Sequence, residues 1–143
     1  MSIELVKSRI PQREPFLFID RMISQNGKDI ETEYHVRGDE DFFKGHFPER
    51  PILPGVIIQE ALFQSGALLM SYIREGLSSE EKNKIGVVTR VNQAKFRQLV
   101  EPGQVLLMRV SLEDEMAGAF IFKGRTYVND KVVAAVDFTC ALA

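Results

Sequence analysis

His46 stands fourteen positions before Glu60, and the stretch from one to the other, HFPERPILPGVIIQE, holds three prolines and Gly55. Histidine titrates near neutrality and can act as a base. Glu60 is set among Val56, Ile57, Ile58, Ala61, Leu62 and Phe63. A carboxylate buried in such surroundings keeps its proton to higher pH and can serve as a general acid near pH 7. Gly55 adds a third element. At the start of a helix the backbone N–H groups lack partners and carry the positive end of the dipole. With no side chain in the way, a ligand oxygen can approach them, which outlines an oxyanion site. Base, acid and carbonyl polariser together suit removal of a proton α to a carbonyl, followed by loss of a β-hydroxyl. A plainer reading stands beside this one. A loop histidine is often structural, and Glu60, Gln64 and Ser71 fall roughly on one helical face that could be a solvated stripe.

These residues need elements to hold them. The segment 55–75 is apolar almost all round, which predicts a buried helix about 30 Å long running through the middle of a small domain, with Gly76 as its stop. Prolines at 51 and 54 keep the preceding loop from being helical throughout, so His46 and Glu60 are not placed by one helix. Before the loop, residues 16–24 (FLFIDRMIS) are rich in β-formers, and Asn26-Gly27 signals a turn. Residues 30–36 then alternate Ile30, Thr32, Tyr34 and Val36 against Glu31, Glu33 and His35, as a half-exposed strand does. His35 falls on the polar face. After the helix, 85–99, 105–113, 117–128 and 131–141 read as strands. Glu101-Pro102-Gly103-Gln104 and Asn129-Asp130 are the turns. Short turns between long strands predict antiparallel neighbours. The expected fold is α+β: a strongly curved antiparallel sheet wrapped around one long central helix, as a single domain over 1–143. Such a sheet covers part of the helix and leaves edge strands open, and a dimer joining two sheets would answer both needs.

Bulk properties narrow the function. At 143 residues the chain fits one core, and its formal net charge of −2 gives no support to a general nucleic-acid binder. The single cysteine, Cys140, can form neither an intrachain disulfide nor a multi-cysteine zinc site. It lies in an apolar segment and reads as a small buried hydrophobe. MSIELVKSRI lacks the apolar core of a signal peptide, and no run approaches the ~18 apolar residues of a membrane span. The expectation is a cytoplasmic protein that does not insert into membranes.

The opening stretch resembles the signature of the FabZ-type β-hydroxyacyl-(acyl carrier protein) dehydratases, G-H-F-P-x-x-P-x-x-P-G-V-x-x-x-E-A-x-x-Q, which runs here without a gap from Gly45 to Gln64. IPQREPFLFIDR (10–21), AKFRQLVEPGQ (94–104) and the closing DKVVAAV also resemble that family, so the likeness covers nearly the whole chain. It implies a hot-dog fold and a homodimer with two interfacial sites, often assembled as a trimer of dimers. It also implies that the histidine and glutamate of one site come from different subunits. Carried over by position, His46 takes the α-proton and Glu60 of the partner protonates the leaving hydroxyl. The N–H of Gly55, with Val56 beside it, holds the thioester carbonyl, and Gln64 orients Glu60. The implied substrate is a (3R)-3-hydroxyacyl chain on the phosphopantetheine of an acyl carrier protein, and the product is a trans-2-enoyl thioester. The dehydration needs no metal or redox cofactor.

Two departures from the family stand out. Gln12 replaces a usual histidine, and Arg90-Val91-Asn92-Gln93 replaces a segment that often reads G-I-D-E. These changes bear on chain-length range and carrier specificity. Arg90, Lys95 and Arg97 form a basic group that could dock an acidic carrier or simply be a solvated strand face. Two other functions are compatible with the sequence. A hot-dog thioesterase also uses a helix-borne carboxylate, to activate water. A non-catalytic subunit would bind the carrier only.

Overall fold

The computed structural model describes residues 2–76 and 83–143. Its first hairpin joins β1 (Arg21–Asn26) to β2 (Asp29–His35) through a two-residue turn in which Gly27 has φ 55°, the left-handed geometry that the Asn-Gly signal predicts. On β2 the predicted alternation holds: Ile30, Thr32 and Tyr34, with Val36 beyond, face inward, and His35 is exposed. Glu31 and Glu33 point outward to Arg109 and Arg21. The chain then passes a short 3-10 turn, Asp41–Lys44, and the proline loop before α2, Gly55–Ile73. After α2 come β3 (Gly86–Phe96), β4 (Val105–Met116), β5 (Ala119–Val128) and β6 (Lys131–Leu142). All neighbours are antiparallel, in the order β1-β2-β4-β5-β6-β3, so β3 is an edge strand.

α2 packs against strands β2 to β6 of this sheet. Leu62, Leu68, Leu69 and Met70 of the helix meet Phe122 and Phe138 of the sheet in the core. Burial of each such side chain contributes about 1.5–3 kcal/mol. The helix comes close because position 66 is glycine: a Cβ there would lie 3.0 Å from the Phe138 ring. A buried polar link crosses the same interface. Thr32 Oγ1 lies 2.7 Å from Ser65 Oγ, which itself donates to the Ala61 carbonyl, so Thr32 is the donor. By length and hydropathy α2 would pass for a membrane span, but the face it buries is covered by the sheet.

Several boundaries differ from expectation, for physical reasons. Residues 16–19 do not form a strand, because Phe18 N–H and Phe16 C=O bond to the Gln64 side chain rather than to a neighbouring strand. β5 begins at Ala119 because Ala117 and Gly118, at φ 50° and 82°, form the two-residue turn from β4. The helix ends at Ile73 with Arg74 as its cap, and Gly76 does not adopt the left-handed conformation of a glycine stop. The sequence reading also missed α1 (Ile3–Arg9), where the Ser2 hydroxyl caps the Leu5 N–H, Glu4 opens the first turn and Lys7 and Arg9 close the last. At seven residues it is too short to show a helical period. The turns at 101–104 and 129–130 are as predicted, with Gly103 at φ 91° and Asn129 and Asp130 at 49° and 66°.

Candidate active site

The site begins at the N-terminus of α2. Ile57 and Ile58 donate their N–H groups to the Pro54 carbonyl at 3.0 and 3.3 Å. Among the described residues, the N–H groups of Gly55 and Val56 have no such acceptor, which leaves two donors at the positive end of the helix dipole. Glycine at 55 has a packing reason too, since a Cβ there would come within 3.2 Å of the Phe96 ring on β3. Val56 is 68% exposed, so its side chain lies at the surface of this first turn.

Farther along α2, Gln64 is fully buried and its amide is locked on both sides. Nε2 donates to Glu60 Oε2 and to the Phe16 carbonyl, both at 3.0 Å, while Oε1 accepts from Phe18 N–H at 2.8 Å. The two backbone groups fix which end of the amide faces Glu60, so the carboxylate is held by a donor. Burial raises the Glu60 pKa above the usual carboxylate range, and the Gln64 hydrogen bond offsets part of the rise. The solvated-stripe reading is therefore overturned: Gln64 belongs to the core, and the half-buried Ser71 turns its hydroxyl back to the Leu68 carbonyl.

Glu60 lines a cavity of about 300 Å³ with Gln12, Phe63, Met70, Val87 of β3 and Cys140 of β6. Cys140 is buried as expected, and burial pushes its thiol up to about 12. His46 does not line this cavity. It follows the 3-10 turn, with its backbone N–H on the Phe42 carbonyl at 3.1 Å. Its Nδ1 lies 2.8 Å from the Ile52 carbonyl. A carbonyl can only accept, so Nδ1 carries the proton and the neutral ring keeps its lone pair on Nε2, the atom that could act as a base. Phe47 packs edge-on to the ring, with centroids 4.5 Å apart, from a left-handed backbone at φ 54° that a bulky residue adopts only at a cost. Thus the structure joins Glu60 to Gln64 and places Gly55 and Val56 one turn away. Among the described residues no hydrogen bond or shared cavity joins His46 to them.

The basic group lies on the outer face of the sheet. Bulges in β3 put Arg90 opposite Thr139, Gln93 opposite Asp137 and Lys95 opposite Ala135, all on one side. Lys95 and Arg97 share a groove with Lys123 and Arg125 of β5, where Arg125 pairs with Asp137 at 2.9 Å; Arg90 lies outside that groove. Sequence reasoning missed Lys123 and Arg125. Their one signal is the alternation K-G-R at 123–125, which puts two cations on one strand face.

A curved antiparallel sheet around an apolar helix that carries a locked, half-buried carboxylate defines a hot-dog-fold protein with a helix-borne acid. Residues 10–137 match the family model of the FabA-like domain. The chain is 38% identical over 143 residues to the 3-hydroxyacyl-[acyl-carrier-protein] dehydratase FabZ of Thioalkalivibrio sulfidiphilus, covering 99% of this chain and 96% of that one. It is 35% identical over 145 residues to the FabZ of Xanthomonas oryzae pv. oryzae, covering 100% and 93%. Among solved structures, the dehydratase heterocomplex ApeI:P from Xenorhabdus doucetiae superposes with a TM-score of 0.81 at 15% identity, covering 96% of this chain and 90% of that one. A putative thioesterase from Ralstonia eutropha superposes with a TM-score of 0.66 at 18% identity, covering 86% and 83%. These last two likenesses speak to the fold alone. The chain belongs to the FabZ-type dehydratases of the FabA-like family.

Proposed function

We propose that the protein converts (3R)-3-hydroxyacyl groups on acyl carrier protein into trans-2-enoyl groups in cytoplasmic fatty-acid biosynthesis, at a site shared between two copies of the chain. The observation that carries this reading is the split arrangement. Glu60, whose pKa burial raises, is positioned by Gln64, and His46 is held through Nδ1 with Nε2 open, yet no contact joins the two among the described residues of one chain. In the proposed step His46 Nε2 takes the α-proton, and the charge developing on the thioester oxygen is received by the N–H groups of Gly55 and Val56. Glu60 of the partner gives its proton to the β-hydroxyl, the C–O bond breaks, and water leaves. Returning the proton from His46 to Glu60 restores the site, so the atoms balance without a metal or redox group.

The second copy fits the edge at β3. That strand is open on both faces, with Val87, Val88, Val91 and Phe96 exposed, and it walls the Glu60 cavity. An open apolar edge is a pairing surface. The groove of Lys95, Arg97, Lys123 and Arg125, with Arg90 nearby, is the face that would meet an acidic carrier. Trimers of such dimers are compatible with this arrangement.

Enoyl absorbance during incubation with 3-hydroxyacyl thioesters tests the reaction, and release of free thiol instead would favour the thioesterase reading. Mixing tests the sharing. His46→Ala and Glu60→Ala should each abolish dehydration. Co-refolded, they should recover about a quarter of wild-type activity, since half the two-fold dimers then carry one intact site of two. No recovery on mixing would place both residues in one subunit's site.

A further inference from the structure

Gln12 faces the Glu60 cavity and has no part in the acid–base step. Its Oε1 is buried and, among the described residues, has no hydrogen-bond partner. The loop that carries it is held in place. The Arg13 guanidinium donates to the carbonyls of Lys7, Ile10 and Gln12 itself at 2.8, 2.8 and 2.7 Å. A buried acceptor on a fixed loop stays costly until a donor reaches it.

A second cavity lies next to the one at Glu60. Gln12, Ala67 and Met70 line both, and the second, of about 580 Å³, reaches Ser71 in the last turn of α2 and Glu75 beyond its end. Arg9 spans that end, donating to Ser71 Oγ at 3.3 Å and pairing with Glu75 at 2.6 Å. Ala67 is seven residues beyond Glu60, about 10 Å along the helix axis. A chain bound with its reacting carbons at Glu60 that runs on past Gln12 meets a chamber of mixed lining, with Arg9, Ser71 and Glu75 beside Ile10 and Ile85.

We infer that the acyl chain selected by this protein bears a hydroxyl group several carbons beyond the one that loses water, and that Gln12 Oε1 accepts its hydrogen bond. This deepens the dehydratase reading and rests on it. A plain hydrocarbon would cover Gln12 and leave its oxygen unpaired. A hydroxylated chain supplies the missing donor and is compatible with the Arg9–Glu75 chamber beyond. Gln12 stands where the resembling family usually has histidine, so the chain has here an uncharged acceptor of its own.

The test uses two series of carrier-linked thioesters of increasing length, one methyl-terminated and one ω-hydroxylated. Saturated chains measure binding, and 3-hydroxy chains measure turnover. At one length the ω-hydroxylated chain should bind roughly ten-fold tighter than its methyl twin, the worth of one neutral hydrogen bond to a buried partner. Gln12→Met, of similar shape but without the acceptor, should remove that preference. Gln12→Glu, which keeps an acceptor at the same reach, should retain it. Equal binding at every length, or a preference that survives Gln12→Met, overturns the inference. Binding is read on chains that cannot react, so the two readings fail separately. A binding preference with no enoyl product sinks the dehydratase reading alone, and enoyl product without a preference sinks this one alone.

Discussion

Glu60 is costly to the fold for the same reason that it suits an acid. Burial raises its pKa, so the folded protein holds a proton there that the unfolded chain releases at lower pH. Stability from this group is fully present below the unfolded pKa and is lost as pH rises through the raised folded value. Glu60→Gln should therefore melt at a higher temperature than wild type at neutral pH. The difference should vanish below about pH 4, near the ordinary glutamate pKa, where both side chains are uncharged. The variant should not dehydrate, and wild-type turnover should fall on the alkaline side as Glu60 loses its proton. Melting curves against pH check the first claim and rate–pH profiles the second. An unchanged or lower melting temperature for Glu60→Gln at pH 7 would contradict the assignment. His46, Glu60, Gly55 and Gln64 could be singled out as candidates because they stand in one contiguous stretch that resembles a family signature. The three-way grip of Gln64 on Glu60, Phe16 and Phe18 was not legible, because its partners lie 46 and 48 positions away in a segment that looks like a strand. The open oxygen of Gln12 was equally invisible, since a missing partner shows only once the chain is folded.

At the scale of elements, the long helix and the meander were readable from an apolar run, alternation and turn residues, and the structure places them within a few residues of expectation. What could not be read was how closely they approach. Gly66 lets α2 lie against Phe138, with Phe122 stacked behind it at 5.2 Å between ring centroids. Gly66→Val should overpack this contact and cost about 1–3 kcal/mol in denaturant unfolding. Gly66 lies six residues, fewer than two turns, beyond Glu60, so the carboxyl would shift with the helix, and turnover should fall more than substrate binding. Wild-type stability in this variant would mean that the helix–sheet contact is slack. α1 escaped notice because seven residues with one buried side chain, Val6, carry caps but no period.

For the whole molecule the telling feature is the sheet's unfinished side. An exposed strand could be foreseen, but the identity of the open edge follows from β3 leaving the chain order to pair with β6. Val91, 42% exposed in the middle of that strand, is the position to probe. Val91→Lys puts a charge on an apolar pairing edge and should leave the single chain folded. Sedimentation should then show half the wild-type mass or less, with dehydration lost although His46 and Glu60 are intact. A dimeric and active Val91→Lys would move the interface elsewhere. The Gln64 lock has a consequence that outlasts any single variant. Because one side chain replaces the strand ladder for residues 16–18, opening that segment would spare the sheet's own pairing, but it would draw Leu17 and Phe18 out of the core and free the amide that steadies Glu60. Exchange of the Phe18 amide proton with solvent is thus a clock for the acid's alignment. On heating, activity should therefore be lost no later than the circular-dichroism signal of the folded sheet.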